Sequence, residues 1–516
     1  MLDDSDLTRE RQPMRNGVII DDRDNVVVAI YPLHAGDEVT YALPGGESGR
    51  LVANQDIPLF HKLARKDIKA GEAVVKYGEF IGQATCDIKA GDHVHTHNCV
   101  STDAMKDALD VDANAATEAA KPAAATKCTR TFMGYRRGDG RVGIRNHVLI
   151  LPTSICASDT TERIARAVEG CVTFHNQNGC SQVDADQQLT VDTLAGLASN
   201  PNIHSVLAVS LGCEGCQNDL VVDAIRKRTN KRIETLIIQQ VGGSIKAVEE
   251  GTRLARDLVR EASLETRTEC GIDELIFGTN CGGSDTSSGL GSNPLIGEVS
   301  DWMVSQGATT VLCETPELFG GEHILARRAA TKEIGDQLLK MVYDYEAYVQ
   351  KFGAEMRQGN PSPGNMAGGL TTLEEKSLGC IHKAGHSTIN AVYPYAAQLD
   401  AHKGLVVMDT PGNDPSSVGG IIAGGCQLVV FSTGLGTPTG NAIAPVLRLT
   451  ANGRTAKTMA DNIDFDAQAT IYGPETMEEL RDQLIDQIIR VCNGEPTCAE
   501  ALGYTETALP HLCNYM

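Results

Sequence analysis

The chain has 516 residues, of which 41% are hydrophobic and 22% charged, a size typical of about two to four globular domains. Its formal net charge of −22 argues against a nucleic-acid or membrane-surface partner, because no basic patch offsets the acid. No apolar run approaches the roughly 18 residues of a membrane span, and the first residues lack the pattern of a secretory signal. Sixteen cysteines in so long a chain indicate free, catalytic or metal-bound thiols in a reducing cytoplasm.

Residues 16–102 predict a small all-β module. Short strands alternate with turns, and "DIKAGEAVVKYG" and "DIKAGDHVHTHN" repeat one turn-to-strand pattern. The second repeat puts His93, His95 and His97 at alternate positions, hence on one face of a strand. Such a face can bind a divalent metal or a carboxylate, transfer protons, or be merely a solvated polar face. His61 is a weaker candidate of the same kind.

The Ala- and Asp-rich stretch 103–127 has almost no large apolar residues, which predicts a flexible linker. From Cys128 onward, apolar runs of strand length alternate with helical patterns. These runs are continuously apolar, as expected for parallel strands covered by helices on both faces. The sequence therefore predicts an α/β body, in one or two domains.

Most of the apolar runs end in Gly, Cys, Ser, Thr, Asp or Glu. Because open parallel sheets bind ligands beyond the carboxyl ends of their strands, these side chains are expected at one rim. The predicted rim contains Cys213, Cys281, Glu314, Glu317, Asp409, Asp414 and Ser432, with Cys180 in a similar context. Three thiolates would suit iron or an iron–sulfur cluster, whereas carboxylates suit a harder divalent ion, so the residues alone leave the ligand set open. Burial in a core is the more frequent explanation for any single cysteine, but several cysteines at strand ends beside Gly or acid are harder to explain by packing alone.

Two further motifs carry less information. Cys213 and Cys216 have the spacing of a redox or zinc pair, but one pair cannot close a structural zinc site. The Gly- and Pro-rich stretch 359–369 predicts a shaped loop, crossed by no helix or strand, that presents backbone N–H groups to an anion. It lacks the features of a nucleotide P-loop or a dinucleotide fingerprint, which argues against a nicotinamide oxidoreductase.

Several longer motifs occur in a fixed order along the chain. They are "HKLARKDIKAGEAVVKYGEFIG", "HVHTHN", "GYRRGDGRVGIRN", "NGCSQ", "LGCE", "CGGSD", "ETPELFG", "NPSPGN", "LEEKSLGC" and "FSTGLGTP". Together they resemble the altronate and galactarate dehydratases, a family of sugar-acid hydro-lyases, over nearly the whole chain from about Asn16. The motifs "HVHTHN", "PELFGGEH" and "TTLEEKSLGCIHKAG" are more similar to the altronate branch of that family.

The resemblance implies a β-clip module of the SAF type over 16–102, a middle α/β domain over 128–270 that serves dimerisation, and a Rossmann-like catalytic domain over 271–516. It implies that an altronate-like aldonate or a galactarate-like aldarate is dehydrated to a 2-keto-3-deoxy acid. It also implies dependence on Fe²⁺ under reducing conditions, with Mn²⁺ or an iron–sulfur cluster as alternatives. A homodimer or a larger homo-oligomer is expected.

The chemistry of such a dehydration suggests roles for individual residues as a hypothesis. Metal ligands are expected at Cys180, Cys213 and Cys281. The candidate bases are His175, Glu314 and Glu317, and Arg145 is expected to pair with the substrate carboxylate. Substrate contacts are expected at His93, His95, His97, Asn146, Ser284, Asp285 and Asn365. The chain departs from the family at Asn176, where a histidine is frequent and where His175 lies one place earlier.

Two other functions fit the same residues. One is a sulfo-lyase that expels sulfite from a sulfonated hydroxy acid on the same fold. The other is a protein that binds a carbohydrate or a metal without catalysis. Formation of a keto acid with iron would favour the dehydratase, whereas binding without turnover would favour the non-catalytic protein.

Overall fold

A computed structural model of the protein describes residues 15–44, 46–102, 128–357, 359–399 and 401–515. A small region of antiparallel strands comes first, and two parallel sheets with helices follow. The predicted α/β class with an N-terminal all-β module is therefore confirmed. The predicted linker at 103–127 lies outside the described residues. Within the described ranges, no helix combines the length and apolar character needed to cross a membrane.

Short antiparallel strands build the N-terminal module. They are β1 (Gly17–Val18), β2 (Val26–Ala29), β3 (Glu38–Ala42), β4 (Ser48–Val52), β5 (Lys62–Ala64), β6 (Ala73–Lys76), β7 (Glu79–Ala84), β8 (His93–Val94) and β9 (Cys99–Val100). They form one sheet in the order β1-β2-β5-β8, a second in the order β6-β7-β9, and a β3-β4 hairpin. In the β5-β8 pair, Lys62 lies beside Val94 and Leu63 beside His93. The rings of His61, just before β5, and His95, just after β8, have centroids 4.6 Å apart.

The middle of the chain forms a four-stranded parallel sheet and a small antiparallel one. Its strands are β10 (Thr131–Arg136), β11 (Val142–Gly143), β12 (His147–Pro152), β13 (Cys171–Val172), β14 (Ile203–Ser210), β15 (Ile233–Ile237) and β16 (Thr268–Gly271). Its helices are α1 (Ile155–Ala167), α2 (Asp184–Ser199), α3 (Asn218–Arg226), α4 (Ile238–Val241) and α5 (Ser244–Ala262). The parallel order is β13-β12-β14-β15, and β11-β10-β16 is antiparallel. Helices α2 and α5 contribute to the two separate apolar cores that bury β14.

A seven-stranded parallel sheet organises the C-terminal part, in the order β19-β20-β18-β17-β21-β22-β23. Its strands are β17 (Ile276–Gly282), β18 (Thr309–Leu312), β19 (Ile389–Tyr393), β20 (Gly404–Met408), β21 (Leu428–Thr433), β22 (Val446–Thr450) and β23 (Phe465–Asp466). Its α-helices are α6 (Asn293–Ser305), α7 (Glu322–Arg327), α8 (Lys332–Gln350), α9 (Pro363–Ala367), α10 (Leu373–Ile381), α11 (Asp414–Ala423), α12 (Gly453–Thr458), α13 (Ala469–Tyr472), α14 (Met477–Cys492) and α15 (Cys498–Leu502). Shorter turns of 3₁₀-helix cover Ile272–Glu274, Thr315–Glu317 and His382–Ala384, and a π-helix covers Ser288–Ser292.

The prediction of one rim for all the strand-end residues is wrong. The strands β12, β14 and β15 belong to the middle sheet, whereas β17, β18, β20 and β21 belong to the C-terminal sheet. Cys213 therefore follows a different sheet from Cys281. A continuous apolar run indicates that both faces of a strand are buried, but it does not indicate which sheet the strand joins. The predicted loop at 359–369 also contains a short helix, α9, which Ser362 caps.

A buried ionic group attaches the N-terminal module to the C-terminal sheet domain. Lys62 and Lys76 each place Nζ 2.8 Å from a carboxylate oxygen of Glu375 on α10, and all three side chains are at most 1% exposed. Burial opposes the charge of Glu375, but the two ammonium groups lower its pKa to about 2. The hydroxyl of Thr372 also donates to the backbone oxygen of Ile81 in β7. These contacts hold the β module over the start of α10.

Candidate active site

A small cavity lies where the β module meets the carboxyl end of β17. Its lining includes Tyr77 from the module and Cys281, Ser284, Asp285, Lys376 and Cys380 from the C-terminal domain. Tyr77 follows β6 in a left-handed conformation (φ 62°) and inserts its hydroxyl beside Gly289. A Cβ on Gly289 would lie 2.2 Å from that hydroxyl, so glycine is required there. Both modules therefore contribute to one enclosed site.

Two hydroxyl groups in this cavity are unsatisfied. Tyr77 Oη and Ser284 Oγ are buried and have no hydrogen-bond partner among the described residues. A buried hydroxyl without a partner costs about 1–3 kcal/mol, so such groups in a cavity indicate a place for a ligand or water. Ser284 was a predicted substrate contact, and its position in the cavity is consistent with that role.

Asp285 and Asn365, two other predicted substrate contacts, stabilise the wall of the cavity. The Asp285 carboxylate accepts hydrogen bonds from the Ser287 hydroxyl at 2.5 Å and from Asn452 Nδ2 at 2.8 Å. Asn365 donates to the backbone oxygen of Ser284 at 2.7 Å. Asp285 lines the cavity, but its carboxylate already accepts hydrogen bonds from protein groups. Asn365 holds the segment that carries Ser284 in place.

Beneath the cavity lies a fully buried network of thiols, carboxylates and one lysine. Cys281 ends β17, Glu314 and Glu317 follow β18, and Lys383 lies at the turn after α10. The Lys383 ammonium is 2.6 Å from Glu314 Oε2 and 2.9 Å from Cys281 Sγ. It also lies 3.0 Å from the sulfur of Cys380, which is 3.7 Å from that of Cys281. Lys383 thus occupies the centre of this group of potential ligands.

The charges in this network shift the protonation of its members. Burial raises the pKa of Glu314 well above its ordinary range, and the neighbouring Cys281 adds to the effect. Burial acts on Glu317 in the same direction, but Lys376 and Lys383 overcome it and lower its pKa. Glu317 is therefore an ionised carboxylate at neutral pH, and it binds Lys376 at 2.7 Å. Although burial opposes the charge of Lys376, Glu317 raises its pKa, so that it stays an ammonium.

Three imidazoles form a second cluster, on the module side of the junction. His61 Nδ1 lies 3.0 Å from His93 Nε2, and each of His61, His93 and His95 has a ring nitrogen within 4.8 Å of the others. The rings of His93 and His95 are stacked, with centroids 5.5 Å apart. Burial lowers the pKa of His93 to about 3 and that of His95 to about 4. His97 is exposed and does not belong to this group of close ring nitrogens, although its ring centroid lies 5.3 Å from that of His93.

Arg145 and Asn146 lie elsewhere and serve the structure. The Arg145 guanidinium makes a bidentate ion pair with Glu500, at 2.7 and 2.8 Å, and donates its other bonds to backbone oxygens of Ile144, Val491 and Glu495. Asn146 is held by Arg137 and by the backbone oxygen of Ala262. Because these donors are already occupied, the structure does not bring either residue to the substrate cavity.

His175, Cys180 and Cys213 lie at the carboxyl edge of the middle sheet, away from the Cys281 network. His175 is exposed, with Nε2 3.4 Å from Glu162 Oε2. Cys213 is exposed and accepts a contact from Gln239 Nε2 at 3.4 Å. Among the described residues, Cys180, Cys213 and Cys281 do not form a group of mutually close ligand atoms. The expected three-cysteine ligand set is therefore not assembled.

Sequence reasoning missed three members of the site: Lys376, Cys380 and Lys383. All three belong to the quoted motif "TTLEEKSLGCIHKAG", and Lys376 and Cys380 are four residues apart, on one face of α10. That spacing was the available signal. The spacing did not indicate that this face of α10 would pack against the ends of β17 and β18.

Three family models match the chain. They describe the SAF domain of altronate/galactarate dehydratase (residues 15–102), the second domain of D-galactarate dehydratase/altronate hydrolase (134–263) and the C-terminal domain of D-galactarate/altronate dehydratase (272–514). Altronate dehydratase of Escherichia coli strain K12 is 36% identical over 496 residues, which cover 94% of this chain and 97% of that protein. Altronate dehydratase of Bacillus subtilis strain 168 is 34% identical over 507 residues, which cover 96% of this chain and 99% of that protein. The (2R)-sulfolactate sulfo-lyase subunit beta of Chromohalobacter salexigens is 38% identical over 385 residues, which cover 74% of this chain and 98% of that protein. The predicted family is thus confirmed: the chain belongs to the D-galactarate/altronate dehydratases.

Proposed function

We propose that the protein is a hydro-lyase that dehydrates a sugar acid, an altronate-like aldonate or a galactarate-like aldarate, to a 2-keto-3-deoxy acid. The observation that supports this best is the composition of the cavity. It combines the unpaired hydroxyls of Tyr77 and Ser284 with the ammonium of Lys376. A polyhydroxylated carboxylate supplies oxygens for all three groups, but the cavity of about 10 Å³ has room for about one water molecule and would have to widen to admit it.

Lys376 takes the role that the sequence assigned to Arg145. Removal of the proton beside a carboxylate builds negative charge on the carboxylate oxygens, and a buried cation beside them lowers the energy of that state. Lys376 lines the cavity, and Glu317 keeps it charged. The Arg145 guanidinium, by contrast, already binds Glu500.

Glu317 is the best placed of the three predicted bases. Its carboxylate contacts Lys376 at 2.7 Å and Cys281 Sγ at 3.3 Å, and both of those residues line the cavity. It is also ionised, as a proton acceptor must be. Glu314 is held by Lys383 beneath the cavity, and His175 lies on the middle sheet.

A divalent ion, Fe²⁺ or alternatively Mn²⁺, is part of the proposal. When bound, such an ion would polarise an oxygen of the substrate and so favour both proton removal and loss of hydroxide. The cysteines expected to hold it do not fit this role, because Cys180 and Cys213 lie at the middle sheet, whereas Cys281 already contacts the Lys383 ammonium at 2.9 Å and has its pKa raised by the hydrogen bond with Cys380 and by burial. A homo-oligomeric state and a cytoplasmic location also remain proposals and rest on the family likeness.

A sulfo-lyase that acts on a sulfonated hydroxy acid is the second candidate. It is favoured by the 38% identity to the sulfolactate sulfo-lyase subunit beta, which slightly exceeds the 36% identity to an altronate dehydratase. The altronate dehydratases, however, match 94% and 96% of the chain, including the β module, in one polypeptide. Dehydration is therefore the preferred proposal.

Anaerobic incubation of the full-length protein with Fe²⁺ tests the two candidates together. A panel of aldonates, aldarates and sulfolactate is scored for 2-keto-3-deoxy acid and for sulfite. The proposal expects the keto acid from at least one aldonate or aldarate and no sulfite from sulfolactate. Release of sulfite alone would favour the second candidate, and no turnover of any compound would contradict both.

A further inference from the structure

We propose that His61, His93 and His95 form a binding site for a divalent transition metal at the junction of the β module and the C-terminal domain. This inference rests on the proposed function, because it gives the metal of the dehydration a location. Three histidines with the remaining positions open to solvent or substrate are the usual donor set of a catalytic metal site.

The hydrogen bonds of His61 determine which of its nitrogens can bind a metal. Its Nε2 lies 3.2 Å from the backbone oxygen of Ala367, which can only accept, so Nε2 carries the proton. The lone pair is then on Nδ1, which points to His93 Nε2 at 3.0 Å. Two nitrogens that bind one ion at about 2.1 Å in tetrahedral geometry lie about 3.4 Å apart. His93 Nε2 donates to this lone pair in the metal-free protein, so to share an ion the two nitrogens move slightly apart and His93 carries its proton on Nδ1 instead.

His95 has the same arrangement of inner and outer contacts. Its Nδ1 lies 3.3 Å from Thr371 Oγ1, which leaves Nε2 for a metal when Nδ1 carries the proton. Metal-binding histidines commonly donate their second nitrogen to a carbonyl or another oxygen, because this fixes the tautomer and the ring orientation. Ala367 and Thr371 supply those two oxygens from the C-terminal domain. The oxygens that contact the second ring nitrogens thus come from the C-terminal domain, and the three histidines come from the β module.

The backbone holds the three rings in place before any ligand arrives. Asn98 Nδ2 donates to the backbone oxygen of His93, and Asn98 Oδ1 accepts from the backbone N–H of His95. The pairing of β5 with β8 brings the neighbouring His61 and His95 together, with ring centroids 4.6 Å apart. His61 is buried, whereas His93 and His95 are half-buried, so the site is enclosed on one side and accessible on the other.

The Cys281 network is the competing site, and its chemistry is less suitable. Lys383 Nζ lies within 3.0 Å of both Cys281 Sγ and Cys380 Sγ and also binds Glu314. A metal ion there would have to displace a buried ammonium from three partners at once. In the histidine cluster, the neighbouring cation Lys62 donates to Glu375, to the Thr371 hydroxyl and to the backbone oxygen of Gly369, so that its protons are directed away from the imidazoles.

Cobalt titration of the full-length protein tests the site directly. The protein is made metal-free with a chelator under anaerobic conditions, and Co²⁺ is added while visible absorption and bound metal are measured. The variants are His61→Asn, His93→Asn and His95→Asn, with His34→Asn as the control. His34 is an exposed histidine of the same module outside the cluster. Thermal unfolding establishes that each variant is folded.

We expect the wild-type protein and His34→Asn to bind one Co²⁺ per chain, with no sulfur-to-cobalt charge-transfer band. Each folded cluster variant should bind Co²⁺ about 100-fold more weakly. Wild-type affinity in a folded His93→Asn or His95→Asn variant would overturn the proposal. A thiolate charge-transfer band in the wild-type protein, or no Co²⁺ binding at all, would overturn it without any variant.

The same samples, reloaded with Fe²⁺, separate this inference from the proposed function. If cobalt binds as expected but no sugar acid turns over, the metal site stands and the dehydratase function fails. If His93→Asn forms keto acid at the wild-type rate, the dehydratase function stands and the histidine site is overturned as the metal site of the reaction.

Discussion

The ammonium of Lys376 lies 2.7 Å from the carboxylate of Glu317, at the edge of the cavity between the β module and the C-terminal sheet. Each group keeps the other charged despite burial, because Lys376 lowers the pKa of Glu317 and Glu317 raises that of Lys376. A charged acid–base pair of this kind can bind a carboxylate and accept a proton beside it.

Replacement of this lysine should remove most of the activity. We expect Lys376→Met to lower kcat/KM about 10²–10³-fold, the loss typical when one charge-stabilising donor is removed from an active site. Steady-state kinetics with the preferred sugar acid measure the change. Lys332→Met, at an exposed lysine of α8, is the control and should leave kcat/KM unchanged. Equal activity of the two variants would show that Lys376 does not contact the substrate.

The unpaired hydroxyl of Tyr77 gives a test that separates binding from folding. Tyr77→Phe removes a buried hydroxyl that has no partner among the described residues, so the thermal stability should stay the same or rise slightly. If that hydroxyl binds the substrate, KM should rise about tenfold, which corresponds to one hydrogen bond. Thermal unfolding and KM are measured on the same preparation. A clear loss of stability with an unchanged KM would assign the hydroxyl a purely structural role.

Removal of the carboxylate that attaches the β module should destabilise the protein. Glu375→Gln leaves Lys62 and Lys76 buried without a counter-charge, a change that costs about 3–5 kcal/mol in other proteins. Chemical denaturation at pH 7 should show the first unfolding transition at a lower denaturant concentration than in the wild type. Asp87→Asn, which breaks the exposed pair with Lys69, is the control and should cost at most about 1 kcal/mol.

The same group predicts how stability changes in acid. Glu375 has an ordinary pKa of 4.5, and its pKa in the folded protein is about 2. A lowered folded-state pKa adds stability above the unfolded value, and this stability is lost as the pH falls toward the folded value. The difference in stability between the wild type and Glu375→Gln should thus be constant above about pH 5 and shrink toward pH 2. A difference that does not depend on pH would contradict the ion-pair account.

Asp414 predicts a pH dependence in substrate binding. Burial, with the charge of Glu317 adding to it, raises the pKa of Asp414 to about 7. Above that pH the carboxyl group becomes negative close to the Lys376–Glu317 pair, which repels an anionic substrate. KM should therefore rise as the pH increases through 7, and Asp414→Asn should keep the low-pH KM throughout. An Asp414→Asn variant with the wild-type profile would place that titration on another group.

Strand-end chemistry could be predicted from local sequence, whereas the grouping of the strands could not. Cys281, Glu314 and Glu317 were identified from positions just after buried strands, and the structure brings them together. Cys213 has the same local pattern but follows a strand of the other sheet. Lys383 reaches Cys281 from 102 residues further along the chain, a contact that no local pattern encodes.

The histidine cluster shows the same limit. Alternation in "HVHTHN" predicted His93 and His95, but His61 is 32 residues from His93 and joins them through the pairing of β5 with β8. Arg145 illustrates the opposite error. Its planar fork suits a carboxylate, and the carboxylate it binds is Glu500, 355 residues away. The residue type predicted that the partner of Arg145 is a carboxylate, but only the fold could identify which carboxylate it is.

Incubation of the Fe²⁺-loaded protein with sugar acids in D₂O determines whether the protein dehydrates them. Removal of the proton beside the carboxylate, loss of the neighbouring hydroxyl and tautomerisation of the enol should give a 2-keto-3-deoxy acid with one deuterium at C3, detected by NMR. That product from at least one aldonate or aldarate is the result we predict. No such product from any of these acids, while sulfolactate releases sulfite, would contradict the dehydratase function.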